Sequence, residues 1–542
     1  MQRKLIPSAV LLLVASLLPL AAEEPVDLGM VNRIRGEGLH RSQVMDTAFH
    51  LTEVLGPRLT GSPELKAAND WTRQQFESWG LVNAHLEGYP FGRGWSYTAV
   101  QTRMVAPRTV PLLALPKAWS PGTNGPVRGE VMRVEIKSEK DFDRYKGKLA
   151  GKVLMVENAG KFEEPDTPAF ERYSAAELEK LGDFRIPDDE GRAERRRKGL
   201  ERYQFRKTLN EFLEKEKALA TLEPSGLTNG IVRVSGGGSY TPGESVGVPA
   251  LVMAAEHYNQ ILRLLDDGEK VEIEVDLAAR YHDGDPQAYN TVAEIPGTDK
   301  KDEIVMAGAH LDSWHAGTGA TDNGAGCAVV MEAARILKTL GVKPRRTIRF
   351  ALWTGEEEGL IGSRAYVKQH FATRPEPKDP KQKELPEWFR DETWPLQLKP
   401  EHAKIAAYFN LDNGTGKVRG IYIEENAAVR PIFEAWIAPL RDLGVTTVTP
   451  RPTGGTDHQS FDRVGLPGFQ FIQDEMDYDS RTHHTNLDTY DHLHRDDLMQ
   501  ASVVMASFLY NAAMRAEPLP RKPLPQEPPA PKKKKVEEES KP

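Results

Sequence analysis

The sequence predicts an α/β fold built on a doubly wound, mainly parallel sheet, and three observations carry that prediction. From about Ala288, strand-like and helix-like segments alternate, the helix-like ones are long enough to cross back over a sheet, and acidic and histidine residues gather where strands end. The strand EIVMAGAH leads to the helix GAGCAVVMEAARILKTLG, and RTIRFALWTG leads to SRAYVKQHF. The strand AKIAAYFNLD leads to AAVRPIFEAWIAPLRDLG, and GFQFIQ leads to the final helix DDLMQASVVMASFLYNAAMR. Such alternation implies parallel strands joined by helices that cover both faces. In sheets of this kind ligands collect beyond the carboxyl ends of the strands.

Upstream, residues 40–85 read as helices: HRSQVMDTAFHLTEVLG and, after a proline start, PELKAANDWTRQQFESWG, with the turn-rich GPRLTGSP between them. Strand-like pieces follow at Leu86–Tyr89 and Trp95–Val105. From Val127 short strands and one helix are separated by glycine-rich turns, so residues 127–285 read as a mostly β module. It carries no cluster of ligand-type residues, which suits a lid or a substrate guide better than a second catalytic centre. Inside it, residues 165–222 form a charged, helix-prone insertion. The catalytic unit then takes residues 23–126 and 286–516, with a further insertion rich in Pro and Lys at 372–400.

The two ends read differently. Arg3 and Lys4 precede the apolar run Leu5–Leu20, and Ala21 and Ala22 follow, which is the pattern of a secretory signal peptide over residues 1–22. The run is shorter than the ~20 residues a spanning helix needs. No cysteine follows it, so the expected location is secreted or periplasmic, with no stable membrane anchor after cleavage. The stretch 517–542, EPLPRKPLPQEPPAPKKKKVEEESKP, has little to bury and is expected to be a disordered tail. A net charge of -8 with no dominant basic stretch excludes nucleic acid as the natural partner. Cys327 is the one cysteine, so no intrachain disulfide can form, and zinc would have to be held by histidines and carboxylates.

Candidate ligands sit at strand ends. His310 and Asp312 close EIVMAGAHLD, Asp322 lies in TDNGAG, Glu356 and Glu357 follow FALWTG, Asp412 ends AYFNLD, and His483 and His484 stand in RTHHTNLDT. Taken singly each is unremarkable in chemistry: Asp322 reads as a helix N-cap and the glutamate run as a solvated loop. Taken together they are costly, because gathered carboxylates raise one another's pKa unless cations neutralise them. A mixture of imidazole and carboxylate favours zinc.

The segments HLDSWHAGTGATDNGAG, LWTGEEEGLIGS, FNLDN and HHTNLDT resemble, in order and spacing, the co-catalytic zinc aminopeptidases and the related glutamate carboxypeptidases, over about Asn290–Arg515. The module at 127–280 is similar to the protease-associated domain that some members carry. The resemblance implies the zinc exopeptidase fold and two Zn2+ ions. His310 and Asp412 would bind one ion, Glu357 and His484 the second, and Asp322 would bridge them; His483 is the alternative to His484. Asp312 would orient the His310 ring, and Glu356 would be the general base toward a water shared by the metals. Glu358 is expected to be a solvated neighbour. Asp457 and His458, in TGGTDHQSF, either position substrate or hold a turn. The implied function is hydrolysis of terminal peptide bonds of peptide substrates, aminopeptidase first. A dipeptidase or glutamate-type carboxypeptidase, a one-metal relative of glutaminyl cyclase type, and an inactive peptide-binding protein are the other readings. Assembly as a homodimer is left open.

Overall fold

The computed structural model describes residues 24–160, 167–185 and 189–528. The signal segment at 1–22 lies outside the described residues.

An eight-stranded sheet runs in the order Val82–Pro90, Gln287–Ile295, Arg346–Trp353, Lys300–His310, Ile405–Asn410, Gly468–Gln473, Val418–Tyr422, Thr447–Thr449. Its four central strands, Arg346–Trp353 to Gly468–Gln473, are parallel. They are the four that alternation in the sequence picks out. The flanks are antiparallel: Gln287–Ile295 and Val82–Pro90 on one side, Val418–Tyr422 against Gly468–Gln473 on the other. Central strands covered on both faces need apolar side chains throughout, and IAAYFN and GFQFIQ are buried at every position.

Successive residues of each strand serve opposite faces. Val305, Ala307 and Ala309 join the core beneath the helices Ala325–Thr339 and Arg495–Met514, whereas Ile304 and Met306 join Tyr366, Val367 and Phe461 across the sheet. A helix not expected from the sequence, Leu28–His40, completes the first layer, with Asp27 accepting a hydrogen bond from Met30 N. Three glycines dilute its apolar pattern. Gly38 is required where the helix crosses Arg495–Met514, because a Cβ there would stand 2.6 Å from Val503 Cγ2.

The second sheet begins upstream of the expected boundary. Its order is Val110–Pro111, Gly94–Ala106, Glu272–His282, Val127–Arg133, Lys152–Met155, Ala220–Pro224, Ala250–Met253, Ala114–Pro116. The long pairing of Gly94–Ala106 with Glu272–His282 brings residues before Val127 into it. The charged insertion forms the helices Ala175–Leu181 and Asp189–Lys215. Phe212 of the longer helix stacks on Phe142 at 4.3 Å. The insertion at 372–400 meets this helix, with Arg196 bonded to Asp391 at 2.9 Å and Tyr203 5.6 Å from Phe389.

Of the tail expected from 517, residues 517–528 lie against the catalytic unit. Leu519 is buried, Arg521 donates to His402 O at 3.0 Å, and Lys522 pairs with Asp462 at 2.6 Å. A few anchoring side chains hold a segment that composition alone reads as unstructured. Among the described residues no helix is long and apolar enough to cross a membrane.

Candidate metal centre

All the candidate ligands converge at the carboxyl ends of the parallel strands. His310 is the last residue of its strand, and Glu356, Asp412 and the His483–His484 loop follow the three others. Asp322 does not cap the next helix. Asn323 Oδ1 accepts from Gly326 N at 3.0 Å instead, and Asp322, outside the helical region at φ -126°, ψ 88°, turns its carboxylate inward.

That carboxylate joins two groups of ligands. Asp322 Oδ1 is 3.3 Å from His310 Nε2, which is also 3.3 Å from Asp412 Oδ1. Asp322 Oδ2 is 3.2 Å from His484 Nε2, which lies 3.0 Å from Glu357 Oε2. His483 is farther, with Nε2 3.9 Å from Asp322 Oδ2 and its ring stacked on Tyr478 at 4.8 Å. His310 Nδ1 donates to the backbone carbonyl of Asp312 at 3.0 Å, leaving Nε2 as the inward-facing nitrogen. The Asp312 carboxylate stands back at 3.5 Å and spends Oδ2 on Thr60 Oγ1 (3.0 Å) and Glu357 N (3.2 Å). Asp312 therefore ties the His310 strand end to the glutamate loop, and its hold on the imidazole is chiefly through the main chain.

The electrostatics are those of a site built for cations. Burial pushes Glu357 up to about 7, with the Asp322 charge adding to it. Burial also lifts Glu356 well above the usual carboxylate range, with Asp412 and Asp457 adding to that and His310 opposing it. His484 rises to about 10 despite its burial, because Glu357 and Asp322 face it. Asp322 Oδ2 and Glu357 Oε1 are buried without a donor in hydrogen-bonding geometry among the described residues. Unsatisfied carboxylate oxygens beside inward-facing imidazole nitrogens fit a zinc ion in each group.

One residue departs from expectation, and for two others the structure chooses between the alternatives. Glu358 is not solvated: both its oxygens are buried, and burial with the Asp312 charge pushes its carboxyl well up. Asp457 and His458 are fully buried behind the cavity wall. His458 Nε2 lies 3.3 Å from Thr453 O and 3.5 Å from Glu424, so it holds the turn whose Gly454, Gly455 and Thr456 do line the cavity.

Several contributors were missed. Trp314 Nε1 donates to Glu357 Oε2 at 2.7 Å, and its indole lies within the quoted HLDSWHAG segment. Asp488 accepts from Thr321 N (2.6 Å) and Asp322 N (3.2 Å), fixing the turn that presents Asp322. From the β module, Arg233 donates to His483 O at 3.0 Å and Val234 N to His484 O at 2.9 Å. Nothing local in the sequence marks those two. Asp322, Glu357, Asp412 and His484 line a cavity of about 670 Å³, together with Tyr203 and Arg206 of the long charged helix and Trp388 of the second insertion.

Residues 290–509 match Peptidase family M28. The chain is a metallo-exopeptidase, and the region that holds the candidate ligands is similar to this family. It is 28% identical to carboxypeptidase Q of Bos taurus over 480 residues, covering 87% of this chain and 85% of that one. It is 26% identical to aminopeptidase YwaD of Bacillus subtilis over 281 residues, 50% of this chain and 53% of the relative. Among solved structures, a peptidase M28 precursor from Shewanella amazonensis superposes with a TM-score of 0.64 at 25% identity, over 92% of this chain and 99% of the other. The zinc aminopeptidase BSAP of Bacillus subtilis shares the fold, with a TM-score of 0.51 at 20% identity over 87% and 94% of the two chains.

Proposed function

We propose that the chain is an exported two-zinc exopeptidase that removes N-terminal residues from peptides, with Glu356 as its general base. The observation that carries this reading is the sharing of the Asp322 carboxylate between two ligand groups, one oxygen toward each. His310, Asp412 and Asp322 would hold one zinc; Glu357, His484 and Asp322 the other. Bound zinc supplies Lewis acidity, which makes a nearby water a nucleophile at neutral pH and polarises the scissile carbonyl.

The chain's own residues do the rest. Glu356 lies on the cavity floor and belongs to neither ligand group. It takes the proton of the attacking water and delivers it to the departing amine. Burial, with Asp412 and Asp457 nearby and His310 opposing them, raises its affinity for that proton. Tyr203, Arg206 and Trp388, brought in by the two insertions, line the same cavity as the ligands and suit a site that takes one end of a chain. An amino terminus is favoured by the carboxylate-rich wall, whose Lys207 is already paired with Glu244 at 2.9 Å.

A second reading rests on Arg206. Its guanidinium faces the same cavity and donates to Gly236 O at 3.2 Å, with no ion pair among the described residues, which would suit a terminal carboxylate and a carboxypeptidase or dipeptidase. Hydrolysis of free, N-acetylated and C-amidated dipeptides by wild type and Glu356→Gln, with zinc measured on the same samples, tests both. The expected result is a fall of about 10²–10⁴ in kcat for Glu356→Gln with zinc retained, and no cleavage after N-acetylation. Cleavage that survives acetylation but not amidation would transfer the assignment to the second reading. A zinc-loaded wild type inert on every peptide would sink both.

A further inference from the structure

A second cavity of about 820 Å³ adjoins the first, and Trp388, Gly454 and Gly455 line both. It is unusually rich in arginine. Most of its cations have partners: Arg196 with Asp391 at 2.9 Å, Arg374 with Glu392 at 3.4 Å, Lys368 with Glu376 at 3.9 Å. Arg390 donates to the carbonyls of Leu385 and Lys383.

Arg364 and Arg463 do not follow this pattern. Their guanidinium carbons lie 4.7 Å and 5.2 Å from the centre of the same indole, that of Trp388. Arg364 Nε and Nη2 are buried with no hydrogen-bond acceptor among the described residues. Glu387 and Glu392 are near enough for their charges to be felt, but neither comes within ion-pairing distance of Arg364. Burial pushes Arg364 down to about 10, and the charge of Arg463 adds to it. Two guanidiniums held side by side on one indole repel each other, and Arg364 leaves buried donors unmet. A planar oxyanion relieves both costs at once, since the guanidinium fork matches a carboxylate in two parallel hydrogen bonds.

Both arginines are attached to the catalytic floor. Arg364 sits one turn into the helix Ile361–His370, which leaves the Glu356–Glu358 loop. Arg463 caps the helix His458–Asp462, which follows Gly454 and Gly455. Because Trp388 and Gly455 line both cavities, a peptide whose terminal bond lies over the ligands can extend past them toward these two cations.

We propose that Arg364 and Arg463 form a carboxylate-binding subsite that takes the acidic side chain or the C-terminal carboxylate of the peptide substrate. The proposal rests on the exopeptidase reading for the identity of its ligand. The test compares kcat/KM for Leu-Gly-Glu, Leu-Gly-Gln and their C-terminal amides in wild type, Arg463→Ala and Arg463→Lys, with calorimetric binding of glutarate and of inorganic phosphate to the same proteins. A lost pair of charge-assisted hydrogen bonds predicts that the preference for carboxylate over amide falls about 10–100-fold in Arg463→Ala, through KM, and less in Arg463→Lys. Sensitivity to Glu against Gln assigns the side chain as the source; sensitivity to terminal amidation assigns the C-terminus; either upholds the subsite. A preference unchanged in both variants overturns it, as does phosphate binding more tightly than glutarate through Arg463. If no peptide is cleaved by wild type, the exopeptidase reading fails. Arg463-dependent glutarate binding would then still uphold the site, and its absence would overturn it.

Discussion

His484 Nε2 lies 3.0 Å from Glu357 Oε2, while the neighbouring His483 comes no nearer than 3.9 Å to Asp322. The difference is made by the backbone. His484 adopts φ 63°, a left-handed conformation uncommon for a residue with a Cβ, and its ring is carried toward the ligands while that of His483 stacks on Tyr478. His484→Ala is expected to lose one zinc per chain, with activity falling by more than the 10–100-fold typical of an outer partner. His483→Ala should keep its zinc and lose less than about tenfold. Zinc analysis and kcat/KM on the two purified variants decide the matter, and the reverse order of effects would exchange the two assignments.

Arg233 reaches the same loop from the β module. It donates to His483 O at 3.0 Å and to Asp479 O at 2.8 Å, yet touches none of the ligand side chains. Arg233→Ala should therefore weaken zinc binding about 10–100-fold, as loss of an orienting partner does, while leaving the saturated enzyme's kcat nearly unchanged. Activity titrated against buffered zinc separates the two effects. A variant as zinc-tight as wild type would show that the loop holds its own shape.

A buried charge network joins the N-terminal helix to the core. Arg335 bonds Glu332 at 2.8 Å and Glu37 at 2.9 Å, and all three side chains are buried. Arg335→Met would strand two carboxylates away from water, and removing one partner of such a group costs about 3–5 kcal/mol. Urea unfolding should register that loss. A change below about 1 kcal/mol would mean that Arg41, bonded to Glu37 at 2.6 Å, carries the network by itself.

The central sheet and its ligands were legible because each leaves a local mark. Strands buried on both faces are apolar runs, and a ligand at a strand end is the first polar residue after one. The flanking strand Val418–Tyr422 and the glycine-bearing helix Leu28–His40 lack such a mark, since their burial is decided by what packs on them. The register of the histidines depended on one backbone angle, which sequence does not state. Burial of Glu358 followed from Thr60 and Asp312 lying close by, the role of Arg233 from contacts with a segment more than 200 residues away, and that of Trp388 from packing against side chains of two other elements. The tail at 517–528 shows the converse: its composition spoke for disorder, and three side chains outweigh it.

Glu87 offers a pH signature outside the metal centre. It accepts from His370 at 3.0 Å and His85 at 3.2 Å, linking the edge strand Val82–Pro90 to the end of the helix Ile361–His370. Burial alone would raise its carboxyl, but the two histidines outweigh that and hold it at about 2, against an ordinary 4.5. A depressed carboxyl contributes stability above its unfolded value and loses it as the pH falls from 4.5 toward about 2. His85 is raised above its ordinary 6.5, chiefly by Glu87, so its share is present below 6.5 and fades as the pH rises through the folded value. The gap between wild type and Glu87→Gln should therefore be widest at about pH 5–6, at roughly 1–2 kcal/mol once solvent screening is allowed for. It should close toward pH 2 and narrow above neutrality. Thermal melts at stepped pH measure it, and a gap that stays constant from pH 3 to pH 9 would mean that Glu87 is held by packing and not by the charge of the two imidazoles.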